Sequence, residues 1–257
     1  MFHDVLNRII ENKHLEIIEL EKRGPFEVKT KTPTGLFQKS LEAAGLSVIA
    51  EIKRRSPSAG VIGEILKPSL LAEKYQKGEA SAISVLTDAK AFGGSLEDLE
   101  EVATTVGERG IPILRKDFII HPLQLSESAA SSATAVLLIV AVLGRETRGM
   151  LEQARNLGLE ALVEVHDGPE LEIALDAGAT VIGVNSRNLK TFEVSLANAE
   201  QVLKEIPKGI IKVAESGIKS LDDAKRMKDA GCDAVLIGES LVLSDDPTAF
   251  IQSIRGL

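Results

Sequence analysis

Five charged residues stand where apolar runs give out. Glu51 and Lys53 close SVIAEIK (47–53), Lys116 closes IPILRK (111–116), Glu164 lies near the end of ALVEV (161–165), and Glu215 near the end of IIKVAES (210–216). Burying an unpaired charge is costly, so residues in such positions need either ionic partners or a wet cavity. Lysines and carboxylates gathered around one small molecule shift each other's pKa values, and such a set can both give and take protons at neutral pH. Any one of them alone is equally well read as a strand-end ion pair. Five at equivalent positions favour acid/base chemistry.

The elements that must position them follow from the repeat of the pattern. AISVL (82–86), AVLLIV (135–140), VIGVN (181–185) and AVLIG (234–238) complete a set of eight apolar runs. Between them lie segments of helical spacing, among them LEDLEEVATTVGERG, LEQARNLG, PELEIALDAG and SLDDAKRMKDAG, most ending in the glycine that commonly terminates a helix. Strands apolar throughout are buried on both faces, and alternation with helices implies parallel pairing. The units share no fixed consensus, which argues against a solenoid. The expectation is α/β: a single (β/α)8 TIM barrel over residues 1–257, with an extra N-terminal helix and a connector in residues 1–46. In that fold the carboxyl ends of the strands, where the five charges fall, build the active site. The apolar set of the N-terminal helix reads as Val5, Ile9, Ile10, Leu15, Ile18 and Leu20. A cap over the ligand and a plug over the barrel bottom are both open to it.

Length and composition agree. The chain of 257 residues is 44% hydrophobic and 26% charged, enough apolar material for a barrel core. A net charge of −8 argues against a general nucleic-acid or anionic-membrane surface. The first twenty residues carry charges throughout, unlike a signal peptide, and the apolar run 133–143 is too short to span a bilayer, so the expected location is cytoplasmic. The single cysteine, Cys232, sits between apolar neighbours and reads as core. His3, His14, His121 and His166 lack metal-ligand spacing and are assigned no role; His121, before Pro122, reads as a loop residue. GVIGE is no dinucleotide fingerprint, and no phosphate-loop motif occurs. The loop KRRSPSAGVIGE after the first strand has the small residues of a mobile lid or of a plain surface turn. AESGI and LIGES place Gly217 and Gly238 before the last helices, where exposed amides can hold phosphate, although tight-turn glycine explains either one alone.

As an ordered set, AEIKRRSPS (50–58), VLTDAKAFGGSLEDL (85–99), LRKDFII (114–120), LVEVHD (162–167), GVNSRNL (183–189), VAESGI (213–218) and LIGESL (236–241) resemble the indole-3-glycerol-phosphate synthases over nearly the whole chain. The resemblance implies conversion of 1-(2-carboxyphenylamino)-1-deoxyribulose 5-phosphate to indole-3-glycerol phosphate, with loss of CO₂ and water, in tryptophan synthesis. It implies no metal or organic cofactor, and a monomer or weak homodimer. By the same analogy Lys116 is the general acid of ring closure. Glu164 assists dehydration, with Glu51 and Lys53 exchanging protons near the same carbons, and whether Lys53 or Glu164 protonates the departing hydroxyl stays open. Asn185, Arg187, Glu215 and Ser216 match positions lining the site, Arg187 as partner of the anthranilate carboxylate. Phe92, Phe118 and Leu137 form the apolar wall, or else plain core. Ser56, Gly217, Gly238 and the backbone amide of Glu239 receive the phosphate.

The segment HPLQLSESAASSATAVLLI (121–139) departs from the pattern, which leaves local capping around Ser131, Ser132, Ala133 and Thr134 in doubt. Two other readings compete. An isomerase or a Schiff-base aldolase acting on a phosphorylated sugar would need discriminating residues that are absent here, apart from Lys116. A binder that has lost activity is disfavoured by the intact Glu51, Lys53, Lys116, Glu164 and Asn185 set.

Overall fold

The computed structural model describes residues 3–27, 35–56, 60–62, 67–107, 110–188 and 193–257, with the side chains of His3, Asp4 and Ser56 outside that description. Eight parallel strands close on themselves in chain order. They are β1 (Ser47–Ile52), β2 (Ala82–Leu86), β3 (Ile113–Lys116), β4 (Ala135–Ile139), β5 (Glu160–Val165), β6 (Val181–Asn185), β7 (Ile211–Glu215) and β8 (Ala234–Ile237). β1 completes the ring, with Ile49 opposite Ala82 of β2 and Ser47 opposite Ala234 of β8. The eight apolar runs of the sequence are these eight strands.

The two-residue period of a strand divides their side chains into two cores. Outward residues such as Val48, Ala50, Val136, Leu138, Val163 and Val235 pack against the surrounding helices. Inward residues such as Ile49, Leu114, Leu137, Leu162, Val213 and Leu236 fill the barrel itself. One period further toward the carboxyl end, the same inward file carries Glu51, Lys116, Ile139, Glu164, Glu215 and Gly238. The charged residues therefore follow the apolar plug of the barrel and rim its mouth.

The outer layer comprises α3 (Pro68–Lys77), α5 (Leu96–Val106), α6 (Pro122–Ala130), α8 (Thr147–Asn156), α9 (Gly168–Asp176), α10 (Leu196–Glu205), α11 (Leu221–Asp229) and α13 (Pro247–Arg255). Several start where side chains satisfy free amides: Ser95 Oγ accepts from Asp98 N, Ser220 and Asp223 form a reciprocal capping box, and Asp167 accepts from Glu170 N. His121, read as a loop residue, is the N-cap of α6. In the departing segment, Thr134 Oγ1 accepts from Ile113 N and donates to its carbonyl, while Ser132 bonds Glu100, so capping there is complete.

The two helices before the barrel take its opposite ends. α1 (His3–Arg23) covers the mouth, with Leu6 and Ile9 facing the cavity. α2 (Leu36–Leu41) closes the floor: Phe37 and Leu41 are buried in the barrel core, and the Glu160 carboxylate at the start of β5 accepts from Phe37 N at 2.7 Å and Gln38 N at 2.8 Å. Cap and plug are thus both present, in different helices. The apolar set expected for α1 needs correction, because Leu15 and Ile18 are 57% and 48% exposed. Its buried stripe is Ile9, Lys13, Ile17 and Leu20. The 4-4-3 spacing is helical, but one member is a lysine made tolerable by carboxylates below it. Short α4 (Ala89–Phe92), α7 (Val140–Leu143) and α12 (Glu239–Val242) lie in the loops of the mouth.

Candidate active site

The mouth encloses a cavity of ≈ 650 Å³, within the range of small-molecule sites. Glu51, Lys53, Lys116, Glu164, Asn185 and Glu215 all line it. Lys116 Nζ lies 2.5 Å from Glu215 Oε2 and 3.4 Å from Glu164 Oε2, and Lys53 Nζ lies 3.1 Å from Glu51 Oε1. Residues up to 164 positions apart in the chain thus converge because the closed register sets them side by side, Leu86 beside Lys116 and Asn185 beside Glu215.

Glycines make room for the carboxylates. A methyl group on Gly183 would overlap Glu215 Oε1, and one on Gly238 would overlap Glu51 Oε1. Gly238 is thus required by close approach of a neighbouring side chain. Gly217, at φ 79°, needs glycine on conformational grounds as well. Ser216 precedes it at φ 63°, unusual for a residue with a side chain.

Three carboxylates stand close around the two lysines, and the pKa values respond. Burial favours the neutral amine of Lys116, but Glu215, Glu164 and Glu51 outweigh it and hold the ammonium above the usual lysine range. Burial pushes Glu215 up to about 7; Lys116 opposes this and Glu164 adds to it. Burial also acts to raise Glu164, yet Lys116, His166 and a hydrogen bond from Asn185 prevail and hold it below the usual carboxylate range. One carboxylate is therefore poised near neutrality while another stays ionised 3.4 Å from the lysine.

The remaining expected residues fall as follows. Phe92, Phe118 and Leu137 line one wall, the two rings stacked with centroids 6.3 Å apart. Arg187 and Ser216 line the cavity, and Arg187 N donates to Asn185 Oδ1 at 3.0 Å, which helps to orient the amide. Gly217, Gly238 and Glu239 also line the cavity. The expected Ser56 contact lies outside the described side chains, and of the loop 53–64 expected as a lid, residues 57–59, 63 and 64 lie outside the described residues. Cys232 is buried, its thiol pushed up to about 12 by burial.

Sequence reasoning missed the strap that holds α1 to the mouth. Lys13, 1% exposed, places Nζ 2.8 Å from Asp88 Oδ2 and 2.7 Å from Asp117 Oδ1. Asp117 also accepts from Thr87 Oγ1 and from Phe118 N, and Arg115 bridges it to Glu127. Burial opposes the charge on Lys13, but Asp117 and Asp88 outweigh it and raise the pKa. The signal was a lysine between Ile9 and Ile17 at i+4 from each. His166, assigned no role, stands directly behind Glu164, its Nε2 3.6 Å from Glu164 Oε1.

Among the described residues no three His, Cys, Asp or Glu side chains are arranged to hold a metal ion, and no helix is long and apolar enough to cross a membrane. Among solved structures, thiamine phosphate pyrophosphorylase from Pyrococcus furiosus aligns with TM-score 0.61 and 17% identity over 82% of this chain and 94% of that one, a likeness of fold alone. The indole-3-glycerol phosphate synthase of Kineococcus radiotolerans is 47% identical over 238 residues, 92% of this chain and 86% of its own. That of Streptomyces griseus subsp. griseus is 45% identical over 256 residues, 97% and 94% of the two chains. The family model for indole-3-glycerol phosphate synthase matches residues 6–254, and with the charged mouth of the barrel intact across that span, this chain belongs to the indole-3-glycerol phosphate synthase family.

Proposed function

We propose that the two ion pairs of the mouth divide the proton work of the family's reaction, ring closure with decarboxylation and dehydration of 1-(2-carboxyphenylamino)-1-deoxyribulose 5-phosphate to indole-3-glycerol phosphate. The aromatic carbon bearing the carboxylate attacks the C2′ carbonyl, whose oxygen must be protonated as the ring closes. CO₂ then leaves. The new hydroxyl departs as water after taking a second proton, and a proton lost from C1′ restores the aromatic indole.

Lys116 is the acid of ring closure. It is the charged group with two carboxylates in reach, so it is held as the ammonium until the carbonyl oxygen draws its proton. The Lys53–Glu51 pair suits dehydration, since at 3.1 Å the proton that Glu51 takes from C1′ can return to Lys53 after Lys53 has protonated the hydroxyl. Glu164 keeps a supporting acid/base role, exercised through Lys116. Arg187 pairs with the anthranilate carboxylate, the Phe92–Phe118 wall takes the aromatic ring, and the amides of Gly217, Gly238 and Glu239, with Ser56, take the phosphate. The family's activity is consistent with action as a monomer or weak homodimer, and the pathway fits a cytoplasmic enzyme.

The observation that carries the reading is Lys116 between Glu164 and Glu215 at the centre of the cavity. Purified protein mixed with the substrate should develop indole fluorescence, and Lys116→Ala should lower kcat about 10²- to 10⁴-fold while thermal unfolding stays cooperative. Undiminished turnover in Lys116→Ala overturns the assignment. Binding of the substrate by the native chain without fluorescence would favour a binder.

A further inference from the structure

The reaction takes up one proton per turnover. Two protons are delivered, to the carbonyl oxygen and to the departing hydroxyl, and one is recovered from C1′. The carboxylate leaves as CO₂ and contributes none. If the Lys53–Glu51 pair returns its own proton internally, the net proton is the one Lys116 gives up. Among the described residues, Lys116 Nζ is bonded to Glu164 and Glu215. A route from behind would reload it while the cavity is still occupied.

Such a route is built into the start of α9. His166 follows β5 and does not line the cavity. Its Nε2 is buried without a hydrogen-bond partner and is aimed at Glu164 Oε1, 3.6 Å away. Its Nδ1 lies 2.9 Å from Glu170 Oε2, in the first turn of α9, and the Glu170 side chain is 20% exposed. The ring is fixed in this bridging position from two sides: Glu170 Oε2 also accepts from His166 N at 2.8 Å, and Asn198 of α10 donates to the His166 carbonyl at 2.9 Å.

We infer that Glu170, His166 and Glu164 form a proton relay from solvent to Lys116, with His166 taking a proton on Nδ1 from the Glu170 side and giving one from Nε2 to Glu164. Glu164 then returns the proton to the neutral Lys116 amine, 3.4 Å from its other oxygen. A shift of under about 1 Å brings Nε2 within hydrogen-bond range of Oε1. The charged groups facing the imidazole are Glu164, Glu170 and, from β7, Glu215; burial opposes its charge, but the hydrogen bond to Glu170 and these carboxylates prevail and raise its pKa. His166 is a positioning and relay residue that acts through Glu164 without touching substrate.

The inference rests on the acid role of Lys116 proposed above, and its test separates the two. His166→Asn keeps a donor near the Nδ1 position for Glu170 and removes the atom that faces Glu164. In weakly buffered solution its kcat should fall at least about tenfold, with KM and thermal stability little changed. Added imidazole should restore kcat in proportion to its concentration, while Lys116→Ala remains inactive with or without it. His166→Gln, which keeps an acceptor or donor toward Glu164 but cannot exchange protons, should behave like His166→Asn and serves if that variant folds poorly. Full kcat in either variant at low buffer, or a loss that imidazole leaves untouched, overturns the relay. Activity surviving in Lys116→Ala overturns the underlying reading instead.

Discussion

Both ends of this barrel carry carboxylates, half-buried at the floor and buried at the mouth, and they treat them differently. At the floor, the Glu160 carboxylate is satisfied by two backbone amides of α2, and Ser47 Oγ donates to the Leu41 carbonyl. Each polar group there finds a fixed neutral partner and the barrel is sealed by Phe37 and Leu41. At the mouth, carboxylates meet lysines, one Glu215 oxygen has no hydrogen-bond partner, and a cavity of ≈ 650 Å³ stays open beside them. A polar group answered by backbone dipoles stabilises; one answered by other titratable groups is left able to exchange protons. The same two helices before β1 serve both ends, α2 as a static plug and α1 as a strapped cover.

The contrast can be tested by disturbing each end. The largest effect on stability is expected from Lys13→Met, which leaves Asp88 and Asp117 facing each other in a buried site and should cost about 3–5 kcal/mol in denaturant unfolding, with a rise in KM as α1 loosens over the mouth. A change below about 1 kcal/mol would mean that the strap is not a structural tie. Glu160→Ala at the floor should cost about 1–3 kcal/mol by freeing two amides of α2, and leave kcat/KM within about twofold of the native value. A strong loss of activity there would erase the distinction between the ends. The smallest effect concerns pH. Because Glu215 is raised from 4.5 to about 7, the native state keeps a proton that the unfolded chain loses, so its contribution to stability declines as pH rises from about 4.5 to about 7. Glu215→Gln should remove that slope, and a native-like slope in this variant, followed by thermal unfolding across the window, would contradict the assignment.

Much of the fold was legible because a parallel strand buried on both faces writes itself as an apolar run, and the run lengths and intervening helices left one closed arrangement. The charged rim was legible for a related reason: Lys116, Glu164 and Glu215 break apolar runs at their carboxyl ends. The face on which α1 packs was not. Leu15 and Ile18 look like its core and are exposed, whereas Lys13 lies at the buried centre, because the carboxylates that make a buried lysine tolerable come from residues 88 and 117. His166 was passed over for the same reason; only the geometry shows Glu164 on one ring nitrogen and Glu170 on the other.

By itself the sequence determined the eight strands, their parallel sense, the family, and which residue types stand at the rim, since these depend on local periodicity and on motifs of contiguous residues. Tertiary structure alone decided which charges meet, which carboxylate is pushed to about 7, and which end each N-terminal helix covers. Those outcomes depend on distances of a few ångströms between distant parts of the chain, and electrostatic energies fall with distance and rise with burial in ways that a linear sequence does not record.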